Sequence, residues 1–256
     1  MSGWFARYAG IVFDIDGVLV RGHSAVPGAA DALTRLRAHG TPLLFASNNA
    51  TRTADDVVGL LAGAGITAEP SEVLSSTTTA AGLLEPGTRC VVIGTEALRG
   101  PVRARGCVLV EDPLEAEAVV VGMDFAICYP QLADAALAIG AGARFIGTNP
   151  DRSFPTERGL LPGNGALLAL LSATTGVEPE IAGKPARAMF DAAAALLPAG
   201  PLLMVGDRVD TDVHGAAQAG WDTALVLTGV TGAAQAAAAD PPPTRILDDL
   251  SGLFED

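Results

Sequence analysis

Short apolar runs rich in Val, Ile and Leu alternate along the chain with Ala- and Leu-rich stretches whose apolar positions recur at helical spacing. That alternation predicts an α/β protein with a mostly parallel sheet. Residues 10–15 read as the first strand, 28–38 as a helix stopped by Gly40, 41–46 as a second strand and 53–62 as a helix ended near Gly63 and Gly65. The middle repeats the alphabet, with strands expected at 90–93, 107–110, 118–122 and 144–147 and helices at 97–105, 130–139 and 165–173. Later come a strand at 201–205, a helix running to Ala219 and a strand at 223–227. Residues 233–239 read as a helix ended by Pro241-Pro242-Pro243. No repeat period or long linker interrupts the pattern.

At 256 residues the chain can be one large domain or two small ones. Its 49% hydrophobic and 18% charged residues exclude disorder as the main state. No apolar stretch approaches the roughly 18 to 20 residues of a spanning helix, so no membrane partner is expected. A net charge of -13 repels phosphate backbones and anionic lipid, and no nucleic-acid partner is expected either. The N-terminus runs into Gly10-Ile11-Val12-Phe13-Asp14 without a secretory signal core, which implies a cytoplasmic protein. Cys90, Cys107 and Cys128 are odd in number and widely spaced, and are expected to be buried free thiols rather than a zinc site.

In open α/β sheets ligands bind beyond the carboxyl ends of the strands, so the residues after each apolar run carry the chemistry. Those residues are acidic here: Asp14-Ile15-Asp16-Gly17 after the first strand, and Gly206-Asp207-Arg208-Val209-Asp210-Thr211-Asp212 after a late one. An Asp-x-Asp pair alone carries little weight. A strand, the pair and then a glycine permitting close backbone approach carry much more. Carboxylates gathered at one sheet edge repel unless a cation sits among them, and all-oxygen ligation without His or Cys support favours Mg2+. Lys184 is the only lysine beside 15 arginines, which singles out a place where a compact ammonium does what a two-pronged guanidinium would not. Asp210 fits a first-turn helix acid. Gly176 to Lys184 is no Walker loop, since Pro185 stands where Ser or Thr is needed, and no Gly-x-Ser-x-Gly elbow exists.

Together, Asp14-Ile15-Asp16-Gly17-Val18, Ser47-Asn48-Asn49, Gly183-Lys184-Pro185 and Gly206-Asp207 with Thr211-Asp212 resemble the four ordered motifs of the haloacid dehalogenase superfamily. The Ser-Asn-Asn form and the long insertion between the second and third motifs resemble subfamily IIA. That branch has a type-two cap and contains sugar-phosphate, nitrophenyl-phosphate, phosphoglycolate and pyridoxal-phosphate phosphatases. Gly94-Thr95-Glu96-Ala97-Leu98 and Pro155-Thr156-Glu157-Arg158-Gly159-Leu160-Leu161-Pro162-Gly163-Asn164-Gly165 are similar to actinobacterial glycerol 3-phosphate phosphatases.

The resemblance implies a Rossmann-like core of residues 1–76 and 182–256, an inserted α/β cap of residues 77–181 that selects substrate, and a homodimer through the cap. It further implies a small phosphate ester as substrate, with Asp14 as nucleophile forming an aspartyl-phosphate, Asp16 as general acid and base, and Mg2+ on Asp14, Asp207 and the Asp16 carbonyl. Ser47, Asn48 and Lys184 would bind phosphoryl oxygens, and Asp212 would orient Lys184 or a metal-bound water. Asn49 and Arg208 are each expected to reach substrate or to stabilise their own turns. Cap residues Asp124, Tyr129, Thr148, Asn149, Asp151 and Arg158 are candidates for facing the alcohol portion or for bracing loops. Glycerol 3-phosphate is the first expectation, with sugar-phosphate, 2-phosphoglycolate or nucleotide substrates as alternatives. A phospho-receiver switch is the reading from another class, since such modules also gather aspartates and a lysine around magnesium.

Overall fold

The computed structural model describes residues 3–156 and 158–255; Glu157, quoted in the motif above, lies outside the described residues. The chain forms two compact units. One holds the chain up to Ser47, then Ala54–Leu74 and everything from Lys184 onward; the other holds Asn48–Thr53 and Ser75–Gly183.

In the first unit, β1 (Gly10–Asp14) is followed by the small antiparallel hairpin of β2 (Val20–Arg21) and β3 (Ser24–Ala25), then α1 (Ala29–Ala38), β4 (Leu43–Ser47), α2 (Ala54–Gly63) and β5 (Val73–Ser75). The second unit runs through α3 (Ser76–Gly82), β6 (Arg89–Ile93), α4 (Glu96–Ala104), β7 (Val108–Leu109), β8 (Ala118–Val121), α5 (Tyr129–Gly140) and β9 (Arg144–Gly147). It ends with the hairpin β10 (Ser153–Thr156) and β11 (Gly159–Pro162), then α6 (Asn164–Thr175) and β12 (Glu180–Ile181). Back in the first unit come α7 (Arg187–Leu196), β13 (Leu202–Gly206), α8 (His214–Ala219), β14 (Asp222–Val226), α9 (Ala233–Ala237) and β15 (Arg245–Leu247).

The first unit's sheet has the order β15-β14-β13-β1-β4-β5 and the second unit's has β12-β9-β8-β6-β7. Successive side chains on a strand point to opposite faces, and both sheets use this to bury two layers of helices. In the first, Ile11, Phe13, Phe45 and Val205 pack with Leu33 and Leu36 of α1 and Leu61 of α2. Val12, Leu44 and Met204 pack on the other side with Met189 and Phe190 of α7 and Ala216 of α8. In the second, Cys90, Val92 and Val120 meet Ala80, Leu98 and Val102 of α3 and α4, while Ile93, Val119, Val121 and Phe145 meet Ala135, Ile139 and Leu168 of α5 and α6.

Helix α3 was not expected because Ser76-Thr77-Thr78-Thr79 has weak helix propensity. It forms because a capping box starts it: the Thr78 N–H donates to Ser75 Oγ at 3.2 Å, and the Ser75 N–H donates to Thr78 Oγ1 at 3.1 Å. The pattern reading also assigned no element to α7, to β15 or to either hairpin. Of the cysteines, Cys90 and Cys107 are buried, whereas Cys128 is exposed, contrary to expectation. Cys128 caps α5, where its N–H donates to Gln131 Oε1 at 2.9 Å, and a helix start lies at the surface. No helix among the described residues is long and apolar enough to cross a membrane.

Phe45 is fully buried between the sheet and α1. Phe45→Ala is expected to cost about 3–5 kcal/mol in urea unfolding; a loss below about 1 kcal/mol would contradict this account of the core.

Candidate active site

Strand register brings the acidic residues together. Phe13 pairs with Val205 and Asp14 with Ala46, all in parallel, so Asp14, Ser47 and Asp207 arrive at the carboxyl ends of three adjacent strands. Lys184 joins them shortly before α7. Its Nζ donates to Asp14 Oδ1 at 2.7 Å and lies 2.8 Å from Asp212 Oδ1. Lys184 and Asp212 are almost fully buried, whereas Asp14 keeps 13% of its side chain exposed, enough for a ligand to approach.

Asp212 reaches this position through a π-helical turn, Val209–Val213, which replaces the first part of the expected continuous helix. The wider turn is a feature that recurs frequently at functional sites. It lets Asp212 Oδ2 accept the backbone N–H groups of Asp207 (3.2 Å) and Arg208 (3.1 Å). Both oxygens of Asp212 are therefore engaged by protein groups.

Asp207 is different. Its Oδ2 accepts the Val230 N–H at 2.7 Å, but Oδ1 is buried with no hydrogen-bond partner among the described residues. The backbone crowds closely around it: a Cβ at Gly17 (φ +90°) or at Gly229 would collide with the Asp207 carboxylate. Such an orphaned, sterically protected acceptor is costly unless a cation takes it up.

The charges point the same way. Burial opposes the Lys184 charge, but the Asp14 and Asp212 carboxylates outweigh it and hold the ammonium above its ordinary value. Burial, followed by repulsion from Asp14 and Asp212, pushes Asp207 up to about 7. One oxygen from each of Asp14, Asp207 and Asp212 lies within 4.8 Å of the others. Hard oxygen donors without nitrogen or sulfur suit a magnesium-like ion, and the donor set fits it. With Asp212 committed to Lys184 and two N–H groups, the oxygens that could hold an ion are those of Asp14 and Asp207.

The remaining expected residues divide. Asp16 sits exposed at the turn after β1, where the Gly17 N–H donates to the Val20 carbonyl at 2.7 Å. Ser47 is buried at the end of β4. Asn48 and Asn49 fall in the second unit. There the Asn48 carbonyl accepts from Ser76 Oγ and Asn149 Nδ2, and Asn49 Oδ1 accepts from the N–H and hydroxyl of Thr51. Arg208 forms a two-pronged ion pair with Asp210, at 2.7 and 3.0 Å, which braces their own turn.

Within the second unit, Thr148 and Asn149 are buried and tied to Asn164, whose Nδ2 donates to Thr148 Oγ1 and to the carbonyls of Asn149 and Val121. Asp124 caps the Ala126 N–H, and the Arg158 N–H donates to Thr156 Oγ1. Asp151 is half-buried, its N–H donating to Asn149 Oδ1 at 3.2 Å, and Tyr129 is exposed. Val230 and Gly229 were not singled out by sequence; each acts through its backbone, which leaves no local residue pattern. Asn164 stood inside a quoted motif without a role of its own, and it acts through its side-chain amide.

Comparison with known proteins adds an independent line. A model of haloacid dehalogenase-like hydrolases matches residues 11–108, and a second, HAD-hydrolase-like, matches residues 181–253. The D-glycerol 3-phosphate phosphatase of Mycobacterium tuberculosis is 43% identical over 96% of this chain and 71% of its own length. The acid sugar phosphatase of Staphylococcus saprophyticus is 35% identical over 98% of both. Among solved structures, a glycerol phosphate phosphatase of M. tuberculosis in complex with magnesium superposes with a TM-score of 0.93 at 41% identity, covering 100% of this chain and 79% of that one.

A proton and a metal ion compete for Asp207. Because its carboxyl is raised to about 7 in the folded chain, its contribution to stability is greatest below the unfolded value and is lost as pH rises through about 7. A divalent cation binds the deprotonated form. The rise in melting temperature on adding magnesium is therefore expected to be larger near pH 8 than near pH 5, and a larger shift on the acid side would refute this assignment.

Proposed function

The chain belongs to the haloacid dehalogenase-like hydrolases, and from that membership and the site's geometry we propose that it is a Mg2+-dependent phosphomonoesterase acting on small phosphorylated metabolites, glycerol 3-phosphate first among them. The observation that carries this reading is the pairing of Asp14, reachable from solvent and braced by Lys184, with the unpartnered Oδ1 of Asp207.

Asp14 is the nucleophile. Lys184 holds Oδ1, and the other carboxylate oxygen attacks phosphorus as the bond to the ester oxygen breaks. Asp16 delivers a proton to the departing alkoxide. It then takes one from the water that opens the aspartyl-phosphate, returning Asp14 and releasing inorganic phosphate. Lys184 neutralises phosphoryl charge while fixing the nucleophile's rotamer, and Asp212 keeps Lys184 in place. The Ser47 hydroxyl, at the end of the neighbouring strand, donates to a phosphoryl oxygen. Asp14 and Asp207 would hold the magnesium ion, which supplies charge neutralisation between nucleophile and phosphate when bound.

The substrate preference rests on the M. tuberculosis relative, and the full-length match to an acid sugar phosphatase favours sugar phosphates as the second reading. The homodimer expected through the cap belongs to the same proposal, as does a cytoplasmic setting. Phe125, Tyr129 and Leu160 leave apolar surface exposed on the second unit, which is compatible with such a contact.

Asp14→Asn is expected to remove phosphate release from any ester, and Asp16→Asn to slow it by about 10²- to 10⁴-fold with the metal still bound. Near-normal turnover by folded Asp14→Asn protein would end the nucleophile assignment. Across a panel of glycerol 3-phosphate, sugar phosphates, 2-phosphoglycolate and nucleotides, the highest kcat/KM is expected for glycerol 3-phosphate. A sugar phosphate ranking first would replace the substrate and leave the reaction standing.

A further inference from the structure

The loop that aims Asp207 is packed at its ends, where Leu227 rests on an apolar cluster and Thr231 is buried, and open at its tip. Residues 227–231 follow β14; within them Gly229 and Val230 are exposed, with Val230 at 73%. Yet this segment supplies the Val230 N–H to Asp207 Oδ2 and the Thr231 N–H to the Asp207 carbonyl at 3.1 Å. A shift of the loop by a fraction of an ångström would rotate the carboxylate or leave it unheld.

Three contacts fix the loop from the opposite side, and all three involve the turn and hairpin after β1. The Arg21 guanidinium donates through Nε at 2.7 Å, and also through Nη2, to the Thr228 carbonyl. The Thr228 hydroxyl donates to the Gly17 carbonyl at 2.7 Å. Gly17 in turn donates its N–H to the carbonyl of Val20, the residue before Arg21. The hydrogen bonds close a ring through Arg21, Thr228, Gly17 and Val20. Gly17 and Gly229, the two glycines that touch the Asp207 carboxylate, lie on and beside that ring.

We propose that Arg21 and Thr228 are positioning residues for the cation site: they clamp the loop so that Val230 occupies Asp207 Oδ2 and Oδ1 is presented to the metal. The proposal rests on the metal reading above. It has a distinctive sign. Arg21 is itself cationic, so by charge alone its removal would strengthen cation binding; by the clamp, its removal weakens it. Charge-assisted hydrogen bonds from two guanidinium nitrogens to one carbonyl are stronger than neutral ones, and partners behind a metal ligand typically contribute about 10- to 100-fold in affinity.

The test is titration of the metal-free full chain with Mn2+, followed by electron paramagnetic resonance and calorimetry, for the wild type, Arg21→Ala, Arg21→Lys and Thr228→Val. The clamp predicts a dissociation constant raised about ten-fold in Arg21→Ala, raised also in Arg21→Lys despite the retained charge, and raised in Thr228→Val, with the metal activation constant moving in parallel. Binding by Arg21→Ala as tight as or tighter than wild type would overturn the clamp while leaving the metal site intact. Absence of Mn2+ binding by the wild type would instead remove the metal reading, and the clamp with it. All three variants change side chains at the surface or half-buried, so the folded state is retained for the comparison.

Discussion

A single buried ammonium faces three carboxylates at the end of a parallel sheet, and the rest of the core unit is arranged around that imbalance. Removing an ion from water costs several kcal/mol unless partners replace its hydration. Lys184 offsets one of the three negative charges. Two backbone N–H groups stabilise Asp212, and one stabilises Asp207. What is left is an excess of negative charge focused on Asp207 Oδ1, which the protein relieves either by holding a proton near neutral pH or by binding a cation. The steric closeness of Gly17 and Gly229 keeps the carboxylate from turning away, so the frustration is built in and directed at a ligand.

Much of this was legible in the sequence, for a definite reason. Asp14 and Asp207 each follow an unbroken apolar run, and in a parallel sheet the residue after such a run has nowhere to go but the carboxyl edge. Lys184 stood out because the chain uses arginine everywhere else. What could not be read were the groups that hold these side chains in place. The π-helical turn under Asp212 shifts the backbone hydrogen-bond spacing by one residue relative to an α-helix, too little to alter an apolar pattern. Val230 contributes only its backbone N–H. Arg21 and Thr228 meet across 207 positions of chain, through a carbonyl that every residue possesses.

The second unit illustrates the complementary difficulty. Polar residues after its strands, such as Thr148 and Asn149, read equally well as groups that meet a substrate and as groups that brace a loop. In the structure they are buried, and Asn164 at the start of α6 binds them to the ends of β8 and β9 with a single amide group. A strand end is a place where backbone carbonyls lose their partners as well as a place where ligands bind, and a buried amide with two donors solves the first problem at small volume. Sequence position cannot separate the two uses, because both call for Asn, Thr and Asp. Arg208 falls under the same rule on the core side, with its guanidinium occupied by Asp210 two residues on.

The overall charge of -13 raises a last question of how such a chain would attract an anionic ester. At physiological ionic strength the Debye length is about 8 Å, so charges spread over a surface are largely screened and the local balance decides. Three carboxylates and one ammonium sum to minus two, and a divalent cation cancels that sum. With the cation in place a phosphate dianion would meet a cluster of zero net charge; without it, the dianion meets a net negative, poorly solvated pocket. The same ion thus relieves the stress on the folded core and makes the site receptive.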